Sequence, residues 1–140
     1  MKGKFNTNRD FGVEIEFLRK TSVSQEKIAE ALRDAGITCF VEGYNHETRN
    51  YWKIVGDSSV YNTLRGYEGH NEIVSPRLNG RGGLVELEEV LKVLNNLDCK
   101  VNFNCGIHVH HDVTEKMREG SKQAKKFLFN LIKWVGKFEH

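Results

Sequence analysis

The chain is 140 residues long, 39% hydrophobic and 29% charged, with 21 basic and 19 acidic residues and a formal net charge of +2. These values describe one soluble globular domain over residues 1–140, long enough to bury a core, and exclude a disordered or fibrous chain. The near-balanced charge offers no nucleic-acid or acidic-membrane footprint. No apolar run spans a bilayer and no leader-like stretch follows Met1, so the chain is expected in the cytoplasm.

The first ten residues are polar and basic and read as frayed. Phe11, Val13, Ile15 and Phe17 then alternate with Glu14 and Glu16, the period of a half-buried strand with two carboxylates on its second face. Ser22, with Gln25 three residues on, reads as a capping box. Ile28, Ala31, Leu32 and Ala35 follow at helical spacing, and Gly36 suits the residue that ends the helix. Ile37 to Val41 reads as a short strand and Gly43 to Asn50 as a polar turn. Tyr51, Lys53 and Val55 alternate with Trp52, Ile54 and Gly56 in a strand that runs into Asp57-Ser58-Ser59. Tyr61 to Gly69 is loop-like, and His70 to Ser75 is a strand closed by Pro76.

Asn79 to Gly83 reads as a flexible turn, and Leu84, Leu87, Val90, Leu91, Leu94 and Leu97 mark an amphipathic helix. A strand is predicted next, with Val101, Phe103, Cys105, Ile107 and Val109 on a core face and Asn102, Asn104, His108, His110 and Asp112 opposite. From Ser121, the positions Ala124, Phe127, Leu128, Leu131, Ile132 and Val135 define a last helix, whose apolar face runs to the end without a stop signal. The expectation is therefore that a longer protein continues beyond His140. Cys39, Cys99 and Cys105 have spacings of neither a disulfide framework nor a zinc knuckle.

The order β-α-β-β-β-α-β-α predicts an α+β fold: a largely antiparallel sheet with helices on one face. Val13, Ile15, Phe17, Leu87, Leu91, Leu94, Phe103, Cys105 and Ile107 are the expected core. The opposite sheet face would then carry Glu14, Glu16, Glu72, His108 and His110. Glu14 and Glu16 stand about 6.5–7 Å apart on one strand face. Carboxylates suit hard ions such as Mg²⁺ or Mn²⁺, and neutral imidazole also ligates divalent metals. So many like charges gathered without a cation would cost stability.

The ordered set Gly12-Val13-Glu14-Ile15-Glu16-Phe17, Trp52 with Asp57-Ser58-Ser59, Glu72-Ile73-Val74-Ser75-Pro76 and Cys105-Gly106-Ile107-His108-Val109-His110 resembles the amidoligase family. That family comprises carboxylate–amine ligases with a glutamine-synthetase-like fold, in bacterial and phage proteins, and the likeness covers about residues 11–112. The Gly106-Ile107-His108-Val109-His110 piece is similar to the G-x-H-x-H strand of glutamine synthetases. The resemblance implies an ATP- and Mg²⁺- (or Mn²⁺-) dependent ligase. A small-molecule or peptide carboxylate would be phosphorylated, and an amine would attack the acyl phosphate. It implies metal ligation by Glu14, Glu16, Glu72 and His108, with His110 donating to a phosphate oxygen and Asp57 orienting or deprotonating the amine. Arg77 and Arg81 are near enough in sequence to Glu72 to be phosphate contacts. Members of the family run longer, so this chain is expected to be the N-terminal, catalytic-half part of a larger amidoligase domain.

Two other readings stand beside it. His108, His110 and Asp112 resemble part of a zinc-hydrolase signature, whose closing histidine would fall at Val113. The other is a non-catalytic remnant that folds, forms a homo-oligomer through bared surface and binds a partner.

Overall fold

The computed structural model describes residues 8–62, 64–114 and 121–135. Six strands run through Asp10–Lys20 (β1), Cys39–Val41 (β2), Trp52–Val55 (β3), Tyr67–Val74 (β4), Leu78–Asn79 (β5) and Ile107–His111 (β6) among the described residues. The helices are Gln25–Asp34 (α1), Gly80–Asn96 (α2) and Ser121–Val135 (α3). The protein is α+β, and its sheet is antiparallel except for the β2–β3 pair.

β1 is the axis of the sheet. Its odd-numbered residues point their backbone groups at the β4 and β5 side, as in Ser75 N–H to Val13 O (2.9 Å), and Arg9, just before the strand, keeps the pattern by accepting from Gly80 N–H (3.0 Å). Its even-numbered residues serve the β6 side, as in Glu16 N–H to Gly106 O (3.1 Å) and Asp112 N–H to Asp10 O (3.1 Å). β5 therefore continues the β4 edge past Pro76, and the order across the sheet is β2, β3, β4 with β5, β1, β6.

Alternation on β1 sorts Val13, Ile15 and Phe17 onto a buried face. They pack with Ile28, Ala29 and Leu32 of α1, Val90 and Leu94 of α2, and Trp52, Ile54 and Ile73 of the neighbouring strands. α1 is capped by Ser24, whose hydroxyl accepts from Lys27 N–H at 3.1 Å, so the predicted cap at Ser22 lies two residues early. Gly36 (φ +85°) ends the helix as expected. Its N–H reaches Arg33 O and that of Ile37 reaches Leu32 O, both at 2.9 Å, the paired bonds of a Schellman cap.

Four further sequence expectations are overturned. The Asn79–Gly83 turn is instead β5 and the first turn of α2, because Gly83 must pack against Leu78 and Phe11: a Cβ there would stand 2.7 Å from Leu78 Cβ. Leu91 is exposed, the apolar stripe of α2 meeting the sheet through Val90 and Leu94 instead. β3 does not alternate; all four of its residues, Lys53 included, are buried. Residues 101–106 are not strand, and Val101, Phe103, Ile107 and Val109 are exposed, with Cys105 only half-buried.

The last difference has a geometric cause. Two helices, each about 10 Å wide, cover roughly four strands spaced about 4.8 Å apart. β6 is the fifth strand across, and α1 and α2 pack on the β2–β3 side and on β5. In α3, Ala124 is buried while Leu128, Phe129 and Ile132 are exposed. The expectations for Phe127, Leu131 and Val135 concern side chains outside the described set, as do those for the first seven residues and for Lys137 to His140.

Candidate functional site

The face of β1 opposite the helices carries the charged groups in register. Antiparallel pairing sets Lys53, Val74, Glu14 and His108 in one row across β3, β4, β1 and β6. The next row holds Val55, Glu72 and Glu16, with Gly106 beyond Glu16. Side chains directly opposite on one sheet face are neighbours, so register alone brings together residues up to 94 positions apart in sequence.

Two donor groups result. Ligand atoms of Glu14, Glu72 and His108 lie within 4.8 Å of one another, as do those of Glu16, Asp57 and Glu72. Glu72 belongs to both. His108 Nδ1 is 3.2 Å from Glu14 Oε2, and His110 Nε2 is 3.3 Å from Glu14 Oε1. Glu16 Oε2 accepts from Gly106 N–H at 2.7 Å. A Cβ on residue 106 would lie 3.5 Å from both Glu16 Oε2 and His108 Nε2, so anything longer than alanine would enter the site.

The Asp57 loop is tied to the sheet. Val60 is fully buried, His70 N–H donates to Val60 O (2.9 Å), and Asp57 N–H donates to His70 O (3.1 Å). Asp57 Oδ1 accepts from Ser59 N–H at 2.8 Å, a turn that holds the carboxylate toward Glu16 and Glu72. Glu16 and Glu72 are both buried. Burial first, then the Glu14, Asp57 and Glu16 charges, push the Glu72 carboxyl up to about 7.

Two clefts open on this face. One of about 220 Å³ lies over Glu14, Glu72, Asp57 and His108. The other, about 640 Å³, runs along Asp10, Gly12, Ser75, Arg77, His110 and Asp112. Arg77 stands at its rim, 3.8 Å from Asp10. Arg81, exposed in the first turn of α2, lines neither cleft and stands apart from the acidic groups. Asp112 lies in the larger cleft but, like His110, joins neither donor group.

The roof was not legible in the sequence. The turn read at Gly43 to Asn50 folds back over the site and is fastened twice. Lys53, 2% exposed, donates through Nζ to Asn45 O (3.0 Å), Asn45 Oδ1 (2.7 Å) and Glu47 O (2.7 Å). The Glu42 carboxylate accepts from Arg49 (3.1 Å), Tyr51 Oη (2.6 Å) and Asn45 Nδ2 (2.9 Å). Those partners hold the Glu42 carboxyl down at about 2, the Arg49 guanidinium first and the Tyr51 hydroxyl next. The fastened loop sets His46 and Thr48 into both clefts. The available cue was a lysine on the same strand face as Val55.

A family model described as "Putative amidoligase enzyme" matches residues 7–135. The chain belongs to the amidoligase family. No curated protein and no solved structure matches it significantly. The match takes in every strand and helix named above.

The donor set fits a divalent cation. Hard carboxylate oxygens dominate it, and ligands about 2.1 Å from an ion stand up to about 4.2 Å apart, close to the spacing within each group. A shared carboxylate between two groups is also the arrangement that holds paired ions. Glu72, buried among like charges, is the group a cation would most relieve.

Proposed function

We propose that this amidoligase is an ATP- and Mg²⁺-dependent carboxylate–amine ligase, forming an amide through an acyl phosphate. The observation that carries the reading is the pair of donor groups hinged on Glu72, on the floor of a cleft, in a chain of this family. Phosphoryl transfer asks for alignment and charge neutralisation more than for covalent chemistry from the protein. Cations held by Glu14, Glu72 and His108, and by Glu16, Asp57 and Glu72, would neutralise the phosphate oxygens. The protein's own part is to hold those side chains still. The β1–β4 and β1–β6 ladders and the Gly106 N–H do this for Glu16 and Glu72, and the buried Val60 does it for Asp57.

His110 and Arg77, in the larger cleft, stand where a phosphate or a substrate carboxylate would be bound. That cleft has room for an amino acid or a short peptide end, which supports a small-molecule or peptide carboxylate as substrate. Arg81 lines neither cleft, so this reading gives it no contact with phosphate. Nothing in the geometry favours the zinc-hydrolase reading, since His110 and Asp112 join no donor group among the described residues.

The test is ADP release with a panel of amino-acid carboxylates and amines, with and without Mg²⁺. Carboxylate-dependent ADP release that needs Mg²⁺ is the expected result. Zinc-dependent cleavage of ester or amide substrates without nucleotide would replace ligation by hydrolysis.

A further inference from the structure

In the ligase reading, on which this inference rests, counting Asp57 among the cation ligands leaves the amine's deprotonation, which the family resemblance gave to Asp57, without a residue. An amine nitrogen attacking an acyl phosphate must lose a proton as the C–N bond forms. Glu14, Glu16, Asp57, Glu72 and His108 are then engaged with cations, and a group that ligates a cation is a weaker base. His110 is taken up, in the same reading, by the phosphate or substrate carboxylate of the larger cleft. The step needs a base beside the cations, held in place, and not one of their ligands.

His46 meets these conditions. It lines both the cleft over Glu72 and the cleft along His110, with Glu14, Thr48 and Val74 at the same junction. Its loop is built, not loose: a lysine as buried as Lys53 is tolerable only when its ammonium is fully bonded, and the bonds go to the residues on either side of His46. The Glu42 clamp fixes the same loop from its two ends. The imidazole is oriented by Tyr44, with ring centroids 5.0 Å apart at 78° and Tyr44 Oη 3.1 Å from His46 Nε2. In the tautomer whose Nε2–H donates to the tyrosine oxygen, Nδ1 keeps its lone pair.

We propose that His46 is the general base of amide formation. The amine lone pair forms the C–N bond. The C–O bond to phosphate breaks, and its electron pair leaves on inorganic phosphate. The proton shed by nitrogen passes to His46 Nδ1 and from there to water.

The test compares the full chain and its His46→Ala variant, with ATP, Mg²⁺ and the proteinogenic amino acids as carboxylate donors. Hydroxylamine or methylamine serves as acceptor. Hydroxylamine traps an acyl phosphate as a hydroxamate, and its weakly basic nitrogen gives up its proton to water unaided. In His46→Ala, methylamide formation is expected to fall on the order of a hundredfold and hydroxamate formation by less than about threefold, with added imidazole restoring the amide. His46 is exposed and outside the core, so the unfolding midpoint should stay put and serves as the control for folding. Equal losses of both products, or undiminished methylamide, overturn the assignment while leaving the ligase reading standing. A wild-type chain that forms no hydroxamate overturns the ligase reading, and the base with it.

Discussion

With Glu14, Glu16 and Asp57 around it, the Glu72 carboxyl rises from an ordinary 4.5 to about 7, burial being the larger cause. Between those values the folded, metal-free protein holds a proton that the unfolded chain has released. Stability contributed by this group is therefore greatest at acid pH and is lost as pH rises from about 4.5 through 7. Glu72→Gln should flatten that slope and raise the urea midpoint at neutral pH in the presence of chelator; a variant with an unchanged slope would show that the charges do not meet at residue 72. Glu42 acts with the opposite sign. Its carboxyl is held at about 2 against an ordinary 4.5, so its contribution is present above 4.5 and lost as pH falls toward 2. Asp98, held low by Lys100, then Lys20 and Tyr67, adds in the same direction. His108 presents a different case. Its side chain is 56% exposed, so His108→Ala opens no cavity and should move stability by no more than about 0.5 kcal/mol. Turnover should fall by about a hundredfold or more, since misplacing a reacting group by about 1 Å has that effect. Retained turnover in this variant would remove His108 from the site.

At the scale of elements, α2 offers a direct comparison between two leucines three residues apart. Leu94 is 5% exposed and packs in the core, whereas Leu91 is 45% exposed. Leu94→Ala should cost about 2–5 kcal/mol, from lost burial plus the cavity left behind. Leu91→Ala should cost within about 0.5 kcal/mol. Denaturant midpoints measure both; similar losses at the two positions would mean that α2 is rotated on the sheet. The strip Val101, Phe103, Ile107 and Val109 follows the same logic. Its alternation is that of a core strand, but β6 lies beyond the cover of α1 and α2. No helix among the described residues is long and apolar enough to cross a membrane.

For the whole molecule, cation binding and folding are linked. A ligand that binds only the native state adds RT ln(1 + [L]/Kd), about 2.7 kcal/mol at a hundredfold excess over Kd. Mg²⁺ or Mn²⁺ should therefore raise the unfolding midpoint, and more at pH about 8 than at about 5, because Glu72 must release its proton to ligate. Thermal melts across that range, with and without the ion, check this. A midpoint shift that is absent, or equal at both ends, would count against Glu72 as the shared ligand.

The sequence by itself determined whatever depends on local periodicity and on the chemistry of side chains. Alternation on β1 placed Glu14 and Glu16 opposite Val13, Ile15 and Phe17, and the structure keeps that division. Gly36 announced the end of α1, and the order of elements announced an antiparallel α+β sheet. The ordered motifs from Gly12 to His110 already resembled the family to which the chain belongs. Only the tertiary structure decided which apolar faces are covered and which polar groups meet. Hydrophobic alternation says that a face wants cover, but the widths of two helices and five strands decide that β6 goes without. Strand register, set by pairing across distant parts of the chain, brought Glu72 into both donor groups. The roof over them depends on bonds from a buried lysine to loop carbonyls, and no local pattern encodes a contact made between a strand and the backbone of a loop.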